Sequence, residues 1–349
     1  MRTLCLFGTL AATVAVSHLV PAVPLARETP LVMHFYYWND RLADQSLRAH
    51  GGQIGLLSPV WLEVDQAGNL VSTVDRQTAA WAAANKIRVM PVVVNRGFRP
   101  ETAAAAAGPA RDRLIAAMVQ TARRYRFCGL QLDFEGLRES DRQAYAEFTE
   151  RLASALHRRG MQLSVAVPAP LAAAVPSSSA PGAWKVSDQS AAFDYARLGR
   201  AADFLSLMAY DEYTSPGEPG PVAGLAWVEA CVRQTLEWTP ADKVMLGVPL
   251  YHRHWAASKV TEGPYAAAAA LAQANQSEIR FDAIHQEATF QYKDSQGDHV
   301  VWLETADSLA RRTALAGKYG LRGISAWRLG QEDPAAWETV FAQKPENTL

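Results

Sequence analysis

Cysteine is scarce in this chain: 349 residues contain three, and one of them, Cys5, lies in the amino-terminal apolar stretch. Cys128 and Cys231 are too few to staple a fold, so a disulfide scaffold is excluded as the source of stability. An excess of either charge is also missing. Lys plus Arg number 34 and Asp plus Glu 35, giving a net charge of -1, so bulk charge points to neither nucleic acid nor an anionic membrane. Histidines at metal-ligand spacing are lacking too. His252 and His254 find no third partner, and no metal centre is expected. Long apolar runs are confined to one place: Leu4 to Val20 carries no charge, follows Arg2 and ends in Val20-Pro21-Ala22, the pattern of a secretory signal. Residues 1–22 are therefore expected to be a signal peptide, cut after Ala22 or Ala26 or kept as an anchor. Export to the medium, periplasm or cell envelope follows from that.

What remains is ordinary globular composition, 49% hydrophobic and 20% charged, enough for one large domain over residues 23–349. A monomer is expected. Eight strand-like apolar runs recur, most followed by a helical stretch: Leu31–Trp38, Ile54–Pro59, Ile87–Asn95, Gly129–Phe134, Gln162–Val167, Phe204–Tyr210, Val244–Leu250 and Gly323–Trp327. Near-continuous apolar strands such as Val89-Met90-Pro91-Val92-Val93-Val94 require a sheet covered on both faces. Strand alternating with helix eight times predicts an α/β fold, the (β/α)8 TIM barrel.

The helix after the fourth strand illustrates the pattern. Ser140 with Gln143 reads as a capping box, Tyr145, Phe148, Leu152 and Leu156 share one face, and Gly160 supplies the stop. Between the seventh and eighth strands the rhythm is interrupted. Residues 256–304 contain an Ala-rich helical stretch, Tyr265 to Ala274, and two alternating runs flanking a Lys-Asp-Ser-Gln-Gly-Asp turn, which predicts a small α+β insertion on the barrel's carboxyl face. The Pro-, Ser- and Ala-rich stretch from Pro168 to Trp184 can overhang the same face.

Chemistry concentrates in Cys128-Gly-Leu-Gln-Leu-Asp-Phe-Glu135. Side chains alternate along a strand, so Gln131, Asp133 and Glu135 share one face and Leu130, Leu132 and Phe134 the other. Two carboxylates about 7 Å apart along the backbone, at the carboxyl end of a buried strand, suit proton transfer to a ligand with electrostatic support.

Four stretches together resemble glycoside hydrolase family 18, the chitinase-like retaining glycosidases. Gly129-Leu-Gln-Leu-Asp-Phe-Glu135 is similar to that family's Asp-Gly-x-Asp-x-Asp-x-Glu signature, and Met208-Ala-Tyr-Asp211 to its Met-x-Tyr-Asp. Gly247-Val-Pro-Leu-Tyr251 through Trp255, and Gly323-Ile-Ser-Ala-Trp-Arg-Leu-Gly330, fall on the seventh and eighth strands. The likeness spans nearly the whole mature chain and is greatest to the bacterial branch of spore-cortex-lytic N-acetylglucosaminidases and polysaccharide-synthase-associated modules. Two signature positions depart from the pattern: Cys128 and Gln131 stand where Asp is usual. By parity Cys128 is expected to face the helices. Gln131 is expected to donate a hydrogen bond to Asp133 and keep it ionised.

The resemblance implies retaining hydrolysis of β-1,4-linked, N-acetylglucosamine-containing glycans, chitin oligomers or peptidoglycan, in which the substrate's own acetamido oxygen is the nucleophile. Glu135 would be the general acid and base, its pKa raised by burial and a neighbouring carboxylate, and Asp133 would hold the acetamido N–H. Tyr210 would hold the acetamido carbonyl, Asp211 a sugar hydroxyl or the tuning of Glu135, and Trp327 the sugar face. Tyr36 is either a residue behind the site or core, and Tyr251 and Trp255 either line the groove or seal the insertion. No cofactor is implied. A glycan-binding module with little turnover, or an accessory domain in envelope polysaccharide assembly, are the alternatives.

Overall fold

The computed structural model describes residues 31–172, 184, 186–216, 218–256 and 259–342. The expected signal peptide and most of the stretch from Pro168 to Trp184 lie outside them. From the amino terminus run β1 (Val32–Tyr37), α1 (Arg41–His50), β2 (Leu56–Val64), its hairpin partner β3 (Leu70–Ser72) and α2 (Arg76–Ala84). The third barrel strand is split into β4 (Arg88–Val89) and β5 (Val92–Asn95). Pro91 has no N–H for the ladder, and pairing with β2 is interrupted there. Then follow α3 (Pro100–Ala107), α4 (Arg111–Tyr125), β6 (Gly129–Asp133), α5 (Arg142–His157), β7 (Gln162–Pro168), α6 (Tyr195–Ala201), β8 (Phe204–Met208), α7 (Leu225–Leu236) and β9 (Val244–Pro249).

After β9 the chain leaves the barrel for β10 (Tyr251–Ala256), β11 (Lys259–Pro264), α8 (Tyr265–Ala274), β12 (Arg280–Asp282), β13 (Glu287–Asp294) and β14 (Gly297–Leu303). It returns through α9 (Ala306–Lys318), β15 (Gly323–Trp327) and α10 (Ala336–Thr339). The excursion is an antiparallel sheet in the order β11-β10-β14-β13-β12 with α8 against it. It begins at Tyr251, a few residues before the boundary expected from sequence, because Tyr251 to Ala256 pair with β11 and β14 and not with the barrel.

β1, β2, β5, β6, β7, β8, β9 and β15 are parallel neighbours in that order, and β15 pairs back onto β1. The result is the (β/α)8 barrel. Outward residues such as Phe35, Leu57, Leu132, Leu163 and Leu246 pack with the helices into one core. Inward residues differ by depth: Leu56, Met90, Phe204 and Met245 plug the amino end, and above them the interior is polar. Cys128 packs against that plug and not against the helices as parity suggested. Strand alternation does not reach it, because β6 begins one residue later.

On α5 the expected face is buried: Tyr145, Phe148, Leu152 and Leu156 all point inward, and Gly160 ends the segment with φ +68°. The Ser140–Gln143 capping box does not form. Asp141 instead accepts the Arg138 backbone N–H at 2.9 Å and so closes the 3-10 turn Glu139–Asp141 ahead of the helix, and Gln143 turns along the helix to Glu147 at 3.0 Å.

Candidate active site

β6 ends at Asp133, so Glu135 has left the strand ladder and its backbone needs other partners. Asn95, fully buried at the end of β5, supplies both. Its Oδ1 accepts the Glu135 N–H and its Nδ2 donates to the Glu135 carbonyl, each at 2.9 Å. The same Nδ2 donates to the Arg99 carbonyl at 3.1 Å, tying the loop after β5 to the acid. Gly136 follows at φ +68°, and a Cβ there would stand 2.1 Å from the Phe98 carbonyl oxygen. A side chain at 136 would push that loop off Glu135.

Asp133 is 4% exposed, and its Oδ1 has no hydrogen-bond partner. Burial first, and the neighbouring Glu135 second, raise its pKa from 3.8 to about 8. Glu135 is partly exposed at the mouth, and its pKa is raised by burial and then by Asp211. Neighbouring like charges resist ionising together, so the fold disfavours the state in which both carboxyls are charged. This corrects the expectation that Gln131 keeps Asp133 ionised. No bond joins the Gln131 amide to Asp133.

The Gln131 amide instead donates to the Tyr36 hydroxyl, opening a chain through the barrel interior. Tyr36 donates to Ser206 Oγ at 3.2 Å, Ser206 to Ser325 Oγ at 2.7 Å, and Ser325 to His34 Nδ1 at 2.5 Å. His34 Nε2 lies 2.7 Å from Ser58 Oγ, which donates to the Met90 carbonyl at 2.6 Å. A carbonyl at one end and an amide N–H at the other fix the sense of every donor, so His34 carries its proton on Nε2. Burial lowers its pKa to about 3, so it stays neutral.

Tyr210 and Asp211 follow β8. Gly247 makes room for Tyr210, since a Cβ there would meet the Leu207 carbonyl at 2.2 Å and the Tyr210 ring at 3.0 Å. Burial, then Tyr36 and Asp133, push the Tyr210 hydroxyl pKa well up, so it remains a donor. Asp211 sits at φ +64°, its Oδ1 accepting from Tyr251 and from Arg253. Trp327, whose peptide bond to Arg328 is cis, has its ring 5.0 Å from Tyr36 and 6.5 Å from the half-exposed Trp38.

The structure thus brings Asp133, Glu135, Tyr210, Asp211 and Trp327 to the carboxyl end of the barrel. Tyr36, Gln131 and Tyr251 lie behind them, each 2% exposed or less, Gln131 bonded to Tyr36 and Tyr251 to Asp211. Trp255 is 3% exposed and its indole N–H is held by the Ser215 carbonyl at 2.9 Å, which makes it a seal between insertion and barrel. Three contributors were not visible in the sequence: Asn95, Arg253 and Trp38. Asn95 and Arg253 each meet their partner about 40 positions away, and no local signal marks that. Trp38 ends the first strand run, but nothing in its neighbours distinguishes it from core.

The family model "Glycosyl hydrolases family 18" matches residues 52–332. A curated relative, "Uncharacterized glycosylase YvbX" of Bacillus subtilis, is 26% identical over 87% of this chain and 89% of its own. The "Cortical fragment-lytic enzyme" of Bacillus subtilis is 34% identical over 65% of this chain, which spans about half, 52%, of that relative's length. A chitinase from Chromobacterium violaceum superposes with a TM-score of 0.80 at 29% identity, over 89% of this chain and 98% of its own. With the family model covering most of the chain and a barrel mouth built around Asp133 and Glu135, the chain belongs to glycoside hydrolase family 18 and is a glycoside hydrolase.

Proposed function

We propose that the chain is an exported enzyme that cleaves β-1,4-linked glycans containing N-acetylglucosamine, with the substrate's own acetamido group as nucleophile. The observation that carries this reading is the unpartnered, buried Oδ1 of Asp133 beside Glu135. Leaving such an atom unpaired costs roughly 1–3 kcal/mol, and an acetamido N–H is a donor suited to relieve it. Once that N–H is bound, Asp133 is stabilised as the anion and the shared proton belongs on Glu135, the acid that protonates the leaving glycosidic oxygen. As the acetamido oxygen closes on the anomeric carbon, the ionised Asp133 steadies the positive oxazolinium. Glu135, now a carboxylate, then takes a proton from the water that opens the ring. The Tyr210 hydroxyl is available to hold the acetamido oxygen, and Trp327 with Trp38 offers apolar faces to the sugar.

The test is product release from chitin oligomers and from peptidoglycan by wild type and Glu135→Gln. Wild-type turnover falling about 10²–10⁴-fold in the variant is expected. Equal rates would end the assignment of Glu135. Tight oligosaccharide binding with no product from wild type would leave a binding module instead.

A further inference from the structure

We infer that the end of the barrel opposite the active site docks on an anionic phospholipid surface. Helix carboxyl ends adjoin strand amino ends in this fold, so the last turns of α4 and α5 lie at the amino end of the barrel. A groove of about 610 Å³ runs along α4, from Asp112 in its first turn past Ile115 and Val119 to Arg123 and Arg124 in its last, where Arg158 and Arg159 at the end of α5 complete its rim. All four arginines are exposed. None is ion-paired among the described residues: Arg158 donates to Ser154 Oγ at 2.7 Å and Arg124 lies over the Tyr125 ring. One acid, Asp112, shares the groove. Next to it, Arg158 and Arg200 line a second groove, in which His157 is held by Asp203 and Arg197 by Glu150.

A cation or two at each helix carboxyl end is ordinary complementarity to the helix dipole. Four unpaired arginines facing one another across a single groove are not, because they repel unless an anion lies between them. The balanced total charge of the chain therefore hides a local excess. Planar guanidinium groups over an apolar floor match phosphate esters on acyl chains.

The bilayer is favoured over a soluble polyanion by where the chain enters. β1 starts at this same end, paired to the first residues of β15. Ten residues lie between Val20, the end of the apolar run, and Leu31, a reach of roughly 40 Å when extended. A membrane-associated amino terminus would bring the arginine face to the headgroups and leave the mouth of the barrel pointing away. This inference does not rest on the hydrolytic reading.

The experiment uses the full chain with vesicles of phosphatidylcholine, with and without phosphatidylglycerol, at low and high salt. An apolar amino terminus binds both vesicle types alike, so the phosphatidylglycerol-dependent part reports the arginines. That part is expected to weaken with salt and to fall about fivefold for each arginine removed in the variant Arg123→Gln, Arg124→Gln, Arg158→Gln, Arg159→Gln. Glycan hydrolysis in solution and thermal unfolding check the fold, and the pair Arg124→Gln with Arg159→Gln, expected to lose about 25-fold, serves if the quadruple variant is unstable. Binding indifferent to phosphatidylglycerol, or unchanged in the variants, overturns the inference. So does capture of soluble poly(glycerol phosphate) through these arginines without any preference for phosphatidylglycerol vesicles.

Discussion

Two groups of buried carboxylates in this molecule have opposite surroundings. Where the insertion meets the barrel, Glu287 accepts the backbone N–H groups of Val222 and Ala223 at 2.9 and 3.0 Å and an Arg312 guanidinium N–H at 2.8 Å. Arg312 also donates to Glu304 at 3.0 Å and to the Ala223 carbonyl. Arginine and Glu287 are both fully buried. At the barrel mouth Asp133 is nearly as buried, yet it faces another carboxylate and no cation. The first group is closed by its own donors and fastens β13 and β14 to α9 and to the loop before α7. The second lacks a donor that the fold could have supplied, and the proposed mechanism rests on that unpaired oxygen. The junction is not perfectly satisfied either: Glu304 Oε2 has no partner, and burial lifts that carboxyl to about 8.

If this contrast is right, Arg312→Met should produce the largest loss of stability, about 3–5 kcal/mol, because it strands buried carboxylates without their cation. Denaturant unfolding measures it, and a loss under 1 kcal/mol would show that the junction is not held by charge. Asp133→Asn should do the reverse. Turnover should drop about 10²–10³-fold with no loss of fold, and an unchanged rate would mean that the unpaired oxygen has no part in the chemistry.

Asn95→Leu frees both ends of the Glu135 peptide group from their partners. A shift of the acid by about 1 Å costs up to about 10²-fold, and it should appear in kcat more than in KM. A variant that loses stability but keeps kcat would make Asn95 purely structural. Gly136→Ala is expected to cost about 1–3 kcal/mol through its left-handed backbone and the Phe98 carbonyl, with kcat reduced in parallel. A crystal structure of this variant with Glu135 unmoved would count against the loop as its support.

The smallest effect is in pH dependence. The pKa of Asp133 is raised by folding, from 3.8 to about 8, so the fold favours its protonated form. The stability this lends is complete below pH 3.8 and is lost as pH rises through about 8. Asp133→Asn removes that loss, so its melting temperature should gain on wild type between pH 5 and pH 8, by at least about 1 kcal/mol in stability. Glu212 and Glu304, also raised to about 8, give both proteins a common downward slope. A constant gap across that range would mean that Asp133 is ionised throughout.

Much of this was legible in the chain itself. A period of two in apolar strands and of 3.6 in α5 marks which side each residue turns to. That was enough to place Asp133 and Glu135 on one face and to order the strands around a barrel. The reading failed at element ends, where alternation stops: Cys128 belongs to the amino-end plug, and Ser140 does not cap α5. It also failed for Gln131, whose hydrogen-bond partner Tyr36 is 95 positions away.

Local sequence, then, determined the elements, their faces and the pair of acids, because backbone periodicity and apolar patterning act over a few residues. Tertiary structure decided how those acids behave. Burial of Asp133, the Asn95 grip on Glu135, the Arg253 hold on Asp211 and the crowding of arginines between α4 and α5 each arise from residues brought together by barrel closure. Proton affinity and charge density depend on distance through space, and distance along the chain does not encode them.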